Sequence, residues 1–197
     1  FITLPAALGL IALARPIMEV LFERGAFGAG DTAASAQALR AYALGLVFFG
    51  LVRLMAAVYH ARLDTKYPVR CANWSVFANV ALSLALMLPM GFVGLALATS
   101  LASGLNAWLL LRGLSATNDW PGVELAAAVK PLLAISLLMG AGIYALNWFL
   151  WPASAGIWVR AAVLLGEVAA GAGFYLLLSS IFAPEMAGIW RAALKRD

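Results

Sequence analysis

The chain has almost none of the groups that soluble enzymes use. Its 197 residues include one histidine, one cysteine and 9 acidic residues, and only 11% are charged. A single cysteine, Cys71, excludes an internal disulfide and reads as a small apolar packing residue. No histidine or cysteine pair stands at metal-ligand spacing, and no glycine loop leads out of a strand to cradle a phosphate. Apolar and polar residues do not alternate as they would in barrel strands. No cofactor, no certain metal and no covalent catalysis are therefore expected.

What the chain has is hydrocarbon-soluble side chain: 64% of residues are hydrophobic, and the mean hydropathy is +0.95. That composition belongs to an all-α polytopic membrane protein. A helix needs about 20 apolar residues to cross about 30 Å of hydrocarbon. Runs of that length extend from Leu4 to Phe22, Ala41 to Tyr59, Val69 to Leu88, Phe92 to Leu111, Leu125 to Leu150 and Ile157 to Phe182, which predicts about six transmembrane helices. Phe1 already lies at the edge of the first run, so the chain is expected to be the C-terminal part of a longer protein.

Cation placement sets the orientation, because Lys- and Arg-rich loops stay cytoplasmic. Arg62, Lys66 and Arg70 lie between runs two and three, Arg112 and Lys130 bracket the next alternate loop, and Arg191, Lys195 and Arg196 close the chain. In the opposite loops Glu23 and Asp31 offset Arg24 and Arg40, and the turn at Pro89 to Gly91 has no cation. Cytoplasmic cations beside anionic lipid account for the net charge of +4 without nucleic acid. Residues 184–197 suit a cytoplasmic interfacial tail, and Trp148, Trp151 and Trp158 read as interface anchors.

Charges inside apolar runs cost several kcal/mol unless they face protein or water. Arg15 and Glu19 are four residues apart around Pro16, so they share a helix face, either as a structural ion pair or as part of a transport path. Arg53 has no acidic residue four positions away, and its planar fork suits either phosphate oxygens or a carboxylate on another helix. Glu167 reads as an inter-helix contact or a protonated carboxyl. Asn79 and Ser83 share a face of the third run and Thr99 lies on the fourth; their neutral oxygens suit interhelical hydrogen bonds or a small cation. Gly94, Ala98 and Ala102 form a small-residue stripe that admits a close helix neighbour, and Asn73 and Asn106 near run ends read as interface residues.

Three segments carry a family resemblance. Leu21-Phe22-Glu23-Arg24-Gly25-Ala26-Phe27, preceded by Leu4-Pro5-Ala6-Ala7 and Pro16-Ile17, resembles the Leu-Phe-x-Arg-Gly-x-Phe signature of the MurJ/MviN lipid II flippases. Tyr59-His60-Ala61-Arg62-Leu63-Asp64-Thr65-Lys66-Tyr67-Pro68-Val69 is similar to that family's Phe-Tyr-Ala-x-x-Asp-Thr-Arg/Lys-x-Pro-Val loop, with His60 in place of the usual Tyr. Gly94 to Ser100 with Asn106 resembles the helix that follows, and from about Arg112 onward the likeness is one of hydropathy.

The resemblance implies the fold of the multidrug/oligosaccharidyl-lipid/polysaccharide exporters: two six-helix lobes around a central cavity, plus two added helices bordering a groove for a lipid tail, about fourteen helices working by alternating access. On that reading residues 1–113 hold four helices of the C-terminal lobe and residues 114–183 the added pair, with the N-terminal lobe of the same chain as the missing partner. It implies translocation of lipid II, or a related polyprenyl-diphosphate lipid, across the bacterial inner membrane. A flippase for another polyprenyl-linked saccharide, or a membrane scaffold for cell-wall synthesis that transports nothing, stays open. The residues placed on the transport path are Arg53, Arg15, Glu19 and Arg24, with Arg62, Asp64 and Lys66 forming the loop motif. Asn79, Ser83 and Thr99 fall where some members hold sodium, but Ser83 stands where those members have aspartate, and a hard cation wants anionic oxygen. Sodium and proton coupling both stay open.

Overall fold

The computed structural model describes residues 2–116, 122–152 and 155–182, the side chains of 122–128 excepted. Six helices follow one another: α1 (Thr3–Phe22), α2 (Ala29–Ala61), α3 (Lys66–Met90), α4 (Phe92–Ser115), α5 (Gly122–Leu150) and α6 (Ile157–Phe182). No strand occurs among the described residues, and all six helices contain a segment long and apolar enough to span a membrane. The tail expected at 184–197 lies outside the described residues.

One helix is much longer than its apolar run. α2 has 33 residues, so it begins twelve positions before Ala41. At 1.5 Å per residue it is about 50 Å long, well over the hydrocarbon thickness. Its first turns are polar yet rich in alanine, and Asp31 caps them by accepting the Gly28 backbone N–H at 3.0 Å. Hydropathy sees only the part of a helix that lies in lipid, so this extension left no signal in it.

The α2–α3 corner is built by local hydrogen bonds. The Asp64 N–H donates to the Tyr59 carbonyl and the Leu63 N–H to that of His60, the two bonds of a Schellman stop. That motif places its pivot residue at positive φ, and here the pivot is Leu63 at φ 58° rather than glycine. The Asp64 carboxylate then accepts the N–H groups of Lys66 and Tyr67 at 3.1 and 3.2 Å, starting α3 three residues before the apolar run. Tyr59 and Tyr67 stack with centroids 5.3 Å apart and donate their hydroxyls to the carbonyls of Leu110 and Leu109. Both sides of the corner are thereby tied to α4.

The helices form two compact units. One contains Phe22–Gly122, with α4 packed against both α2 and α3. Gly91 turns the chain from α3 into α4 at φ 58° and ψ −137°, a conformation open to glycine. The small-residue stripe of α4 is buried, and Gly94 lies against the Leu86 backbone. Ser100 on α4 donates to the Ala41 carbonyl on α2 at 2.5 Å, where Gly45 leaves room for it. The other unit contains Phe1–Leu21 and Val123–Asp197, which groups α1 with α5 and α6. Leu13, Val20, Ile135, Met139, Leu164 and Tyr175 form its core. The division at 113/114 that the resemblance implies concerns the lobes of a longer protein and is separate from this grouping by contact.

Candidate functional site

In the α1–α5–α6 unit, the expected Arg15–Glu19 pair is formed. Arg15 Nε donates to Glu19 Oε1 at 2.8 Å, with the arginine side chain 66% exposed and the glutamate 10% exposed. Pro16 sits between them and cannot donate to the Ala12 carbonyl, which marks the place where the helix gives up a backbone bond. The second carboxylate oxygen accepts the Trp151 indole N–H at 2.9 Å. Trp151, read from the sequence as an interface anchor, therefore also fixes the carboxylate across 132 residues.

Glu167 is buried, and the Asn147 amide donates to its two oxygens at 3.4 and 3.1 Å. The inter-helix contact expected for Glu167 is thus made by a residue that the sequence reading did not single out. Trp151, just past the end of α5, lies one turn from Asn147, joined by the Trp151 N–H to the Asn147 carbonyl. One end of α5 consequently holds Glu19 and Glu167 in fixed geometry.

Beside these polar contacts runs an apolar groove of about 700 Å³. Leu10, Leu13 and Ile17 of α1, Met139 and Ile143 of α5 and Tyr175 of α6 contribute to its wall. Gly171 lets Ile143 approach α6 closely, while Ala6 and Ala172 are exposed at the lining. A surface of this kind takes hydrocarbon and offers a charged group nothing.

The α2–α3–α4 unit has the opposite character. Arg53 is exposed and has no hydrogen bond or ion pair among the described residues. Arg24 is exposed as well, in the α1–α2 connection, where Glu23 accepts the hydroxyl of buried Thr32 at 2.9 Å. A cavity of about 110 Å³ lies between α2, α3 and α4, with Ser75, Asn79, Thr99, Ser103 and Asn106 among its lining residues. The structure thus brings together Asn79 and Thr99 of the three candidate cation ligands. Ser83 is not on the wall and donates its hydroxyl to Asn79 Oδ1 at 3.2 Å. Thr99 donates to the Leu95 carbonyl, and Asn106 Oδ1 is buried without a hydrogen-bond donor.

Asn106 is therefore a cavity residue rather than an interface residue. Among the described residues no carboxylate lines this cavity, and no group of three His, Cys, Asp or Glu is arranged to hold a metal. In the loop motif, Asp64 is engaged in capping α3, whereas Arg62 and Lys66 are exposed. The motif places its acid in the backbone and its cations in solvent.

Comparison with known proteins gives a consistent result. The family model described as lipid II flippase MurJ matches residues 1–163. A protein of Vibrio cholerae named probable lipid II flippase MurJ is 36% identical over 90% of this chain and 34% of its own length. One from Rhizobium meliloti with the same name is 33% identical over 100% of the chain and 37% of its length. The Thermosipho africanus lipid II flippase MurJ is 33% identical, over 92% and 35%. A solved structure described as lipid II flippase MurJ, inward closed conformation, superimposes with a TM-score of 0.74 at 30% identity, covering 94% of this chain and 37% of that one. The chain spans about a third of the length of these relatives.

Proposed function

The chain belongs to the lipid II flippase MurJ family, and from that premise we propose that it is the six-helix part of a transporter moving a polyprenyl-diphosphate-linked peptidoglycan precursor across the bacterial inner membrane. The substrate has two incompatible parts. A diphosphate with its sugars needs water and cations, because a charge in hydrocarbon costs many kcal/mol. The polyprenyl tail needs an apolar surface and can stay in lipid throughout.

The observation that carries the proposal is the groove along α1, α5 and α6. Its volume falls within the range of about 300–1,000 Å³ usual for small-molecule sites, so it holds a segment of a long tail while the remainder stays in lipid. The headgroup is assigned to the cationic side of the transport path. Arg53 is the main contact, because its guanidinium is exposed and has no carboxylate partner among the described residues to leave. Arg15, held at Nε by Glu19, keeps its two terminal nitrogens for a second contact, and Arg24 adds charge at the outer end. Alternating access by the full-length protein would carry the headgroup across.

For coupling we propose the Asn79–Thr99 cavity as a weak sodium site. It offers only neutral oxygens, which a hard cation accepts less readily than carboxylate.

The test is lipid II translocation by the full-length protein in vesicles. Ala172→Trp, which fills the groove from an exposed position, is expected to slow translocation by about tenfold, as loss of about 1.4 kcal/mol of tail contact would. Wild-type rates with this variant would remove the groove from the mechanism.

A further inference from the structure

The cytoplasmic end of the α3–α4 hairpin carries a feature that transport does not use. On α3, Tyr67, Cys71 and Ser75 lie on the side toward α4: Tyr67 and Ser75 donate to α4 carbonyls, and Cys71 is buried. At 3.6 residues per turn, Arg70, Trp74 and Phe77 fall on one flank of that line and Asn79 on the other, beside the cavity and α2. On α4, Ala102 and Leu109 receive the α3 bonds, while Ser100 and Gly104 lie against α2. Trp108 and Arg112 then fall on the flank opposite the cavity-lining Thr99, Ser103 and Asn106. The two flanks form one outer face.

The side chains on this face are exposed and ordered by depth. Trp74, Phe77 and Trp108 are 66%, 70% and 52% exposed, and the Arg112 guanidinium lies 5.3 Å from the Trp108 ring centroid. Arg70 and Arg112 both lie near enough to Tyr67 to act on it electrostatically. Neither has a carboxylate partner among the described residues. The acid nearest to Arg70 in sequence, Asp64, is occupied by the first N–H groups of α3. The two arginines lie one helical turn from the two tryptophans on the loop side, with Phe77 and apolar helix surface on the other. This is the vertical order of a phospholipid: phosphate, glycerol region, acyl chain.

We propose that Arg70, Arg112, Trp74 and Trp108 form a binding site for one anionic phospholipid of the cytoplasmic leaflet, its phosphate between the two arginines and its acyl chains along α3 and α4. The inference does not depend on which molecule is transported. Charge complementarity selects an anionic headgroup, and the indole pair fixes its depth.

The test counts lipids retained by the purified full-length protein in native mass spectrometry, with phosphatidylglycerol as the probe and phosphatidylcholine as the zwitterionic control. Wild type should retain phosphatidylglycerol in preference to phosphatidylcholine. Joint Arg70→Ala and Arg112→Ala substitution should weaken that retention about thirty-fold, on a scale of about five-fold per cation at the membrane surface. The joint lysine variants, which keep charge and fold, should recover most of it. Lys130→Ala, a cation of α5 outside these four residues, should change nothing. Equal retention of both lipids, no retention by wild type, or undiminished retention by the alanine pair would overturn the proposal. So would stoichiometric displacement of phosphatidylglycerol from this site by a polyprenyl diphosphate, which would reassign it to the transported molecule.

Discussion

The two helical units treat polar groups in opposite ways. In the α1–α5–α6 unit two acids are held, Glu19 by Arg15 and Trp151 and Glu167 by Asn147, and the groove beside them is apolar. In the α2–α3–α4 unit Arg53 stands exposed without a partner among the described residues, and a small cavity is lined by neutral oxygens and amides. A substrate that is part salt and part hydrocarbon requires two such environments, and a polar group near the tail surface must be neutralised by fixed partners. The difference teaches that the polar groups of use to a substrate are those with donors left over, Arg53 and the terminal nitrogens of Arg15.

That contrast gives its largest expected effect at Arg53. In the full-length protein, Arg53→Ala should lower lipid II translocation by at least about a hundredfold, because two charge-assisted bonds of about 1.5–3 kcal/mol each are lost. Arg53→Lys should retain part of the rate, since charge survives and the bidentate fork does not. Thermal stability should stay unchanged for both, the side chain being exposed. A stability loss that tracks the activity loss would make Arg53 a structural cation and erase the contrast.

Helix packing sharpens the comparison. Gly94→Ala drives a Cβ into the Leu86 backbone and should destabilise by about 1–3 kcal/mol, whereas Gly142→Ala on α5 meets open space and should be neutral or stabilising by up to about 1 kcal/mol. Denaturation of the two variants checks both signs. Next in size is Trp151→Phe, which removes the indole donor from Glu19 and should cost about 1–2 kcal/mol. An unchanged midpoint would mean that Arg15 and water suffice for that carboxylate. The smallest effect is a gain: Leu63→Gly relieves a non-glycine residue at φ 58° and should stabilise by about 1 kcal/mol. A loss there would show that the exposed leucine makes contacts in the full-length protein that outweigh its backbone strain.

Much of this was legible in the sequence, and for identifiable reasons. Hydrocarbon thickness imposes run length, so six spans could be read directly. Arg15 and Glu19 meet because four residues are about one turn, a local rule. Trp151 with Glu19, and Asn147 with Glu167, were not legible, since these bonds join helices and depend on packing that periodicity does not encode. The same limit hid the grouping of α1 with α5 and α6. The polar start of α2 was hidden for a different reason: it is helical by propensity and capping rather than by hydrophobicity. Asn79 and Thr99 were placed together by resemblance, whereas Asn106 carries a cavity role that its position near a run end concealed.

The division between a tail surface and a headgroup cation is tested most directly by comparing substrates of different tail length in the full-length protein reconstituted in vesicles. Translocation would be measured for lipid II with its full polyprenyl chain and for an analogue with a short chain, in wild type, Ala172→Trp and Arg53→Ala. Filling the groove at Ala172 should slow the long-tailed substrate by about tenfold and leave the short-tailed one near the wild-type rate. Removing the Arg53 guanidinium should slow both substrates alike. If Ala172→Trp slows both substrates equally, or Arg53→Ala spares the short-tailed one, the two units do not divide the substrate in this way and the account is wrong.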